Sequence, residues 1–300
     1  MSDFSWNLWA DLMDMLSYPF MRNAFAAGTL IALVAGIVSY FVVLRRSSFA
    51  AHALGHIGFA GAAGAVLLGV SPIFGLLAFT TASGTGIAFL GKRATHRDVE
   101  IGAVLAFMLA LGVLFISLYS GYATEAYSIL FGEILGISSG ELLLTYLATL
   151  AVLLAVLLVY RPLLFASLDE EVAEAKGMRV VLLGLVFMLV LAVAVSIAVQ
   201  VVGVLLIFSL LVIPAAISFR LARRPIDAIV ISVVVALTAT WVGLFVSWYV
   251  PYPVSFFITA IVFAIYLGVR FGLAPRGHRR ASSPSELGPS ASERLPAPPA

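Results

Sequence analysis

Residues 179–198 read RVVLLGLVFMLVLAVAVSIA, and after Arg179 this stretch contains no charged residue. A helix rises about 1.5 Å per residue, so roughly 20 apolar residues are needed to cross the hydrocarbon part of a bilayer. The stretch has that length and that composition. It therefore predicts a transmembrane helix.

Similar apolar runs recur along almost the whole chain. Hydrophobic residues make up 62% of the 300 residues and charged residues only 11%, whereas about 25% of the residues of an ordinary globular protein are charged. A soluble fold would have too little polar surface to cover such a core, so we predict an all-α integral membrane protein. Together with 179–198, the runs predict about nine transmembrane helices: 24–44, 48–70, 73–90, 99–119, 141–160, 201–219, 226–249 and 254–270.

The remaining composition excludes several classes of protein. The sequence has no cysteine, which excludes disulfide frameworks, thiolate zinc sites and cysteine nucleophiles. Its net charge of +2 comes from 17 basic and 15 acidic residues that lie between the apolar runs, so nucleic-acid binding is excluded too.

Segment 125–138 is short and carries Glu133. It is predicted to be a re-entrant or interfacial helix that does not cross.

The basic residues predict the orientation of the helices, because positive residues mark cytoplasmic loops. Nine crossings with the N-terminus outside and the C-terminus in the cytoplasm place 16 of the 17 Lys and Arg residues on the cytoplasmic side, with Arg22 as the exception. A tenth crossing at 125–138 would destroy this sorting. The opposite side carries acidic residues: Asp3, Asp11, Asp14, Glu125, Glu133 and Glu141.

The two ends of the chain differ from the transmembrane domain at 24–270. Residues 1–23 lack the basic start and continuous apolar core of a secretory signal. Their apolar residues favour a helix along the outer membrane interface, with a flexible leader as the alternative. Residues 274–300 are rich in Pro, Ser and Ala and are predicted to be a disordered cytoplasmic tail. The apolar residues with helical spacing near the N-terminus are Phe4, Leu8, Leu12 and Met15.

Two histidines in the second run are candidate metal ligands. His52 and His56 are four residues apart, so both rings lie on one face of a helix, and His56 lies about 12 Å inside the span. Ionisable groups at such depth usually face a pathway or a partner, and imidazoles bind divalent metals such as zinc. Zinc needs four ligands, which two copies of the chain would supply. The alternative is two neutral histidines bonded to helix carbonyls or water.

The same histidines argue against a membrane-embedded zinc protease. Such enzymes use H-E-x-x-H, in which the glutamate is the general base. Ala53 occupies the position of that glutamate and has no proton to exchange. An enzyme of that kind is therefore not expected. The sequence has no other recognisable catalytic set either, so we expect no enzymatic activity in this chain.

The loop between the fifth and sixth runs, residues 162–177, predicts a short cytoplasmic helix. Ser167 or Asp169 can cap it, acids such as Glu170 suit its first turn, and Gly177 can close it. Such a helix is suited to docking, although a plain surface helix is the alternative.

In the seventh run, Pro214 removes a backbone hydrogen bond and predicts a hinge or a bend. The sequence has no Walker-type glycine loop, so any energy source is expected in another chain.

The chain resembles the integral permease subunit of bacterial zinc/manganese ABC importers. The resemblance covers residues 19–270. Each matching stretch is short, and their order and spacing together carry the match. The stretches are VVLRR (42–46) leading into His56, DVEIG (98–102), LFG (130–132), the segment 169–177 and LVIPAA (211–216).

The resemblance implies a homodimer of permease chains in the bacterial inner membrane. Each chain would carry a coupling helix that sits on a cytoplasmic ATPase, with Asp169, Ala173 and Gly177 at the pattern positions, and an extracytoplasmic solute-binding protein would deliver the metal. The family has an Asp and a His in the second span. His56 matches that His, whereas His52 stands where the Asp is usual, which moves the preference from manganese or iron towards zinc.

We therefore expect a permease subunit for a divalent transition metal, with zinc favoured and with ATP bound by the partner. No permanently bound cofactor is expected. One alternative is an ABC permease for a metal chelate, siderophore or vitamin, although a large organic ligand would not need the histidine pair. Another is a self-contained secondary transporter coupled to protons through Glu133 or Glu141, which the docking helix disfavours.

Overall fold

The structure, a computed structural model, describes residues 8–89, 97–119 and 131–272. Within these ranges the regular elements are helices and there is no strand. In chain order they are α1 (Leu8–Ser17), α2 (Pro19–Leu44), α3 (Ser48–Leu67), α4 (Pro72–Phe89), α5 (Arg97–Leu118), α6 (Ser139–Leu168), α7 (Glu170–Ala175), α8 (Val180–Val202), α9 (Val204–Leu221), α10 (Pro225–Tyr249) and α11 (Val254–Gly272).

Nine helices in the described part of the chain are long and apolar enough to cross a membrane, namely all except α1 and α7. This confirms the predicted all-α membrane architecture. Most bounds agree with the prediction within a few residues, but α2 begins earlier, at Pro19, and α6 continues to Leu168. Proline suits a first helical position because no helical bond uses its nitrogen there. Pro162 removes only one backbone bond inside α6, a loss that membrane helices tolerate.

The predicted helix at 125–138 can be examined only in its second part, because residues 125–130 lie outside the described residues. After Phe131 the chain forms a turn, in which the Gly136 N–H donates to the Glu133 carbonyl at 2.8 Å. The helical prediction is therefore wrong for residues 132–138, where two glycines favour a turn. Asn23 of α2 donates to the Ile137 carbonyl at 3.2 Å, which ties this turn to the bundle.

The helices form an inner group and an outer group. Buried residues predominate in α2, α3, α8 and α9, whereas α5, α6 and α11 expose most of their apolar surface. α3 packs against α4, α5, α8 and α9. Side chains on α3 are therefore surrounded by other helices and only partly face outwards.

Hydrogen bonds join neighbouring helices at both ends of the bundle. At one end, Arg45 Nη1 donates to Ser167 Oγ at 3.1 Å, which joins the end of α2 to the end of α6. At the other end, Gln200 Nε2 of α8 donates to Glu141 Oε1 of α6 at 3.3 Å. Basic Arg45 and acidic Glu141 thus lie at opposite ends, as the sorting of charges predicts. The orientation of these ends relative to the cytoplasm stays a prediction.

The short helix α1 is packed against the bundle. Met15 is fully buried, and Asp11 shares a hydrogen bond with Tyr249 at the end of α10. Trp9, by contrast, is 68% exposed. Tyr18 and Trp248 lie beside α1 with ring centroids 5.3 Å apart, and such aromatic groups are enriched at membrane interfaces. A fixed helix is thus present at 8–17, while its position along the interface stays a prediction; residues 1–7 and 274–300 lie outside the described residues.

Candidate metal site and docking helix

α3 carries the two histidines and packs unusually closely against α4. A Cβ atom added to Gly61 would lie 2.2 Å from the carbonyl oxygen of Gly75, so only glycine fits where the two backbones meet. Close approach of this kind is typical of membrane helices with small faces. It fixes which face of α3 points towards α4 and leaves the histidines on a different face.

The structure brings His52 and His56 together as the spacing predicts. Their ring centroids are 4.6 Å apart and their planes are nearly perpendicular. Both side chains are partly buried. A zinc ion lies about 2.1 Å from an imidazole nitrogen, so two rings at this separation can contact one ion. The pair is therefore able to bind a metal from one side.

One copy of the chain supplies only part of a metal coordination shell. Among the residues that the structure describes, there is no group of three or more His, Cys, Asp or Glu side chains that could hold an ion. Two imidazoles leave at least two positions of a tetrahedral ion open. An incomplete site suits transient binding of an ion that has to leave again.

Phe208 of α9 is a neighbour of the site that the sequence does not predict. Its ring centroid lies 4.8 Å from that of His52. Nearby, a Cβ atom added to Gly55 would contact Ile207 of α9 at 3.6 Å, so α3 and α9 are close at this level. The aromatic ring covers one side of His52 and limits the directions from which a metal can approach. A lone phenylalanine in an apolar run carries no signal of this role.

A buried pair of hydroxyl groups was also not predicted. Thr80 of α4 and Ser196 of α8 are both fully buried, and their oxygens are 2.6 Å apart. Thr80 lies next to Gly58 of α3, on the side of that helix that faces α4. The pair therefore links α4 to α8 and is separate from the histidine face.

The predicted short helix is present as α7, and Asp169 caps it. Asp169 Oδ1 accepts a hydrogen bond from the Val172 N–H at 3.0 Å, which satisfies one free donor of the first turn. Ser167 is not the cap, because its hydroxyl instead donates to the Leu163 carbonyl within α6. At the other end, Gly177 has φ +79°, a left-handed conformation that strongly favours glycine.

The four predicted coupling residues fall into two groups. Asp169, Glu170 and Gly177 are exposed, so a partner protein can reach them. Ala173 is fully buried and packs in a small apolar cluster with Ala166 and Val180. It therefore seats α7 on the bundle, and larger side chains at this position would displace the helix.

Pro214 lies inside α9, which continues through it from Val204 to Leu221. The proline is buried and lies six residues after Phe208, the neighbour of His52. Near the end of α9, the rings of Phe219 and Tyr40 stack with centroids 5.2 Å apart. α9 thus contacts the histidine site before the proline and α2 after it. Movement at the proline stays a prediction.

The chain is similar to known proteins over most of its length. A family described as the ABC 3 transport family matches residues 17–272. The manganese transport system membrane protein MntC of Listeria monocytogenes is 30% identical over 78% of this chain and 83% of its own length. The manganese import system permease protein ScaB of Streptococcus parasanguinis is 30% identical over 76% of this chain and 81% of its own length.

A solved structure has a similar fold. The structure of PsaBC from Streptococcus pneumoniae in complex with Fab matches with a TM-score of 0.79 and 27% sequence identity, over 87% of this chain and 95% of the matched chain. The nine apolar helices found within the described residues and these membrane-transport relatives together confirm the predicted location, a multi-pass position in the bacterial inner membrane.

Proposed function

The chain belongs to the ABC 3 transport family, and we propose that it is the membrane-spanning permease subunit of an ATP-driven importer for a divalent transition metal. Its membership supports the transport class, and the relatives named for manganese transport and import support a metal as cargo. The observation that carries the proposal within this chain is the histidine pair, whose rings meet on one face of an inner helix.

Two copies of the chain would form the pathway. Each copy supplies His52 and His56, so a two-fold axis beside α3 would bring four imidazoles around one ion. Four ligands match the number that zinc prefers in structural sites. Transport requires weaker binding than a structural site, and partial exposure of both rings is consistent with that. The metal would be held briefly in the membrane and then released inwards.

ATP hydrolysis would be supplied by a separate ATPase bound to α7. The sequence lacks the complete G-x-x-x-x-G-K-[ST] motif that binds phosphates in such ATPases. α7 is held on the bundle by Ala173 and exposes Asp169 and Glu170 outwards. A short, capped helix in this position can transmit a push from a bound ATPase to α6 and α8. A solute-binding protein at the opposite end would deliver the metal.

Two metals remain candidates, each supported by a different observation. Imidazole ligands suit zinc better than manganese, which prefers oxygen ligands, so His52 favours zinc. The names of the relatives, a manganese transport protein and a manganese import permease, favour manganese. The chemistry of the site supports zinc as the preferred cargo. Manganese is the alternative, and iron is a further candidate. Competition between the metals during uptake distinguishes them.

Substitution of His56 tests the proposal directly. We expect His56→Ala to abolish ATP-dependent metal uptake, because it removes one of the two proposed ligands. The permease should still assemble with its ATPase, because His56 is only partly buried and lies on α3, away from α7. Phe49→Ala is the matched control, since it removes a partly exposed ring one turn before His52 on the same helix. Normal uptake by His56→Ala would refute the role of the pair.

The alternative functions predict different results in the same experiment. An importer for a metal chelate or vitamin would bind the ATPase but accumulate neither free metal, and it would tolerate His56→Ala. A self-contained secondary transporter would take up metal without an ATPase and without ATP. Uptake that requires both the ATPase and His56 supports the metal importer.

A further inference from the structure

The turn between α2 and α3 connects the histidine helix to the end of the bundle that carries α7. It consists of Arg45, Arg46 and Ser47, and α3 begins at Ser48, one turn before His52. Arg46 has φ +52°, an uncommon conformation for a residue other than glycine. Ser47 is buried, and its hydroxyl donates to the Arg45 carbonyl at 3.2 Å. The turn is therefore well fixed, and a displacement of Arg45 would move the start of α3.

Arg45 contacts the two helices that flank α7. Its Nη1 donates to Ser167 Oγ of α6 at 3.1 Å, and Asp169, the cap of α7, follows only two residues later. Its guanidinium also lies over the ring of Phe187 in α8, 5.4 Å from the ring centroid. Cation–π contacts of this kind contribute about 0.5–2 kcal/mol. One side chain thus joins the end of α2 to the helices before and after α7.

The space around Arg45 is not completely filled. A cleft of about 480 Å³ lies beside it, lined among others by Ser167, Glu170 and Gly184. Arg45 Nη2 lies 3.6 Å from the position of a Cβ atom added to Gly184, so the absence of a side chain there lets the guanidinium lie along α8. The open cleft gives Arg45 room to follow a movement of α7 while keeping its contacts.

We propose that Arg45 transmits the movement of the docking helix α7 to the histidine helix α3. This inference rests on the proposed function, because it requires that an ATPase moves α7. A push on α7 displaces the end of α6 at Ser167, the hydrogen bond pulls Arg45, and the turn carries the displacement into α3 and its two histidines. Arg45 is thus a positioning residue that couples ATP hydrolysis to the metal site without contacting the metal.

The test compares two arginines in the same turn. Arg45→Met keeps most of the apolar stem and removes the guanidinium, while Arg46→Met makes the same change at the neighbouring exposed side chain. Each variant is reconstituted in vesicles with the ATPase and the binding protein. Three quantities are measured. The first is co-purification of the ATPase; the other two, measured with manganese and with zinc, are the rate of ATP hydrolysis and the number of metal ions transported per ATP hydrolysed.

We expect Arg45→Met to bind the ATPase and hydrolyse ATP at a rate within about twofold of the wild type, but to transport at least about tenfold fewer ions per ATP. Arg46→Met should match the wild type in all three quantities. Ser167→Ala removes the acceptor for Arg45, together with the bond from the same hydroxyl to the Leu163 carbonyl within α6, and leaves the guanidinium in place. It should lower the number of ions per ATP in the same direction by a smaller factor. It also decides the question if Arg45→Met does not fold.

Three results would overturn the inference. An unchanged number of ions per ATP in Arg45→Met, or in Ser167→Ala where Arg45→Met does not fold, would show that the contact transmits nothing. Loss of ATPase binding together with transport would make Arg45 part of the docking surface. An equal loss in Arg46→Met would assign the effect to the turn as a whole. Failure of the proposed function itself is distinct, because the wild type would then transport neither metal.

Discussion

His52 and His56 are held together by the geometry of the helix that carries them. Four residues make slightly more than one turn, so the rings meet at 4.6 Å without help from another element. Phe208 then covers one side of His52. In the proposed site the two imidazoles would set the metal preference, because the described residues contain no group of three or more His, Cys, Asp or Glu side chains that could hold the ion instead.

Replacement of His52 by aspartate should shift the metal preference. Carboxylate oxygen is a harder ligand than imidazole nitrogen and suits manganese better. We expect the ratio of zinc uptake to manganese uptake to fall by about tenfold in His52→Asp, which corresponds to about 1.4 kcal/mol. The measurement is competition between labelled zinc and labelled manganese in the same vesicles. If the ratio stays constant, the binding protein sets the selectivity and the histidine does not.

Some features of the histidine site and of Arg45 could be predicted from the sequence and others could not. The i, i+4 spacing of His52 and His56 predicted that the rings share a face, because helix periodicity is local. The contact with Phe208 depends on how α9 packs against α3, which no local pattern encodes. The hydrogen bond from Arg45 to Ser167 joins residues 122 positions apart, so it too depends on tertiary packing.

Two elements carry the predictions for the bundle: the crossing of α3 with α4, which holds the helices together, and α7, which is the proposed docking helix. The crossing depends on glycine at both contact positions. The docking helix depends on its cap at Asp169 and on the left-handed conformation of Gly177. Each element gives a prediction with a matched control elsewhere in the chain.

Gly177→Val should weaken the binding of the ATPase. A β-branched residue at φ +79° is strained, and left-handed conformations cost about 1–2 kcal/mol for ordinary residues. The end of α7 would therefore unwind or shift, and we expect at least about tenfold less ATPase to co-purify with the permease. Gly86→Val is the control, because Gly86 has open space around it and lies in the exposed face of α4. Undiminished co-purification in Gly177→Val would contradict the role of α7.

Gly61→Ala should destabilise the bundle. The added methyl group would lie 2.2 Å from the Gly75 carbonyl oxygen, so α3 and α4 would have to separate. Overpacking of this kind costs about 1–3 kcal/mol. We expect a lower thermal unfolding midpoint in detergent for Gly61→Ala and an unchanged midpoint for Gly86→Ala. Equal midpoints for both variants would mean that the crossing is looser than described.

For the elements, the apolar runs of the sequence predicted all nine transmembrane helices, because length and hydrophobicity are sufficient for that assignment. They predicted the start of α2 and the end of α6 less well. The continuation of α6 through Pro162 could not be predicted, since proline usually ends a helix and only neighbouring helices decide whether it is tolerated. The turn at 132–138 was missed because Glu133 and the apolar residues around it resemble a short amphipathic helix.

The charges predict how the whole molecule is oriented in the membrane, and the absence of cysteine from the sequence makes this orientation simple to test. We expect the N-terminus outside, so that the α3–α4 connection faces outwards and α7 faces the cytoplasm. Leu68→Cys and Glu171→Cys each introduce one exposed thiol. A membrane-impermeant maleimide should label Leu68→Cys in intact cells or spheroplasts. It should label Glu171→Cys only after the membrane is opened. The reverse pattern would contradict the predicted topology.

The proposed function requires two copies of the permease, an ATPase and a binding protein that act together. The most direct measurement is ATP-dependent uptake of labelled zinc and labelled manganese into vesicles that contain this assembly, with the wild type beside His56→Ala. We expect the wild type to accumulate at least one of the two metals only when ATP is supplied, and His56→Ala to accumulate neither. Wild-type vesicles with bound ATPase and no uptake of either metal would contradict the proposed function.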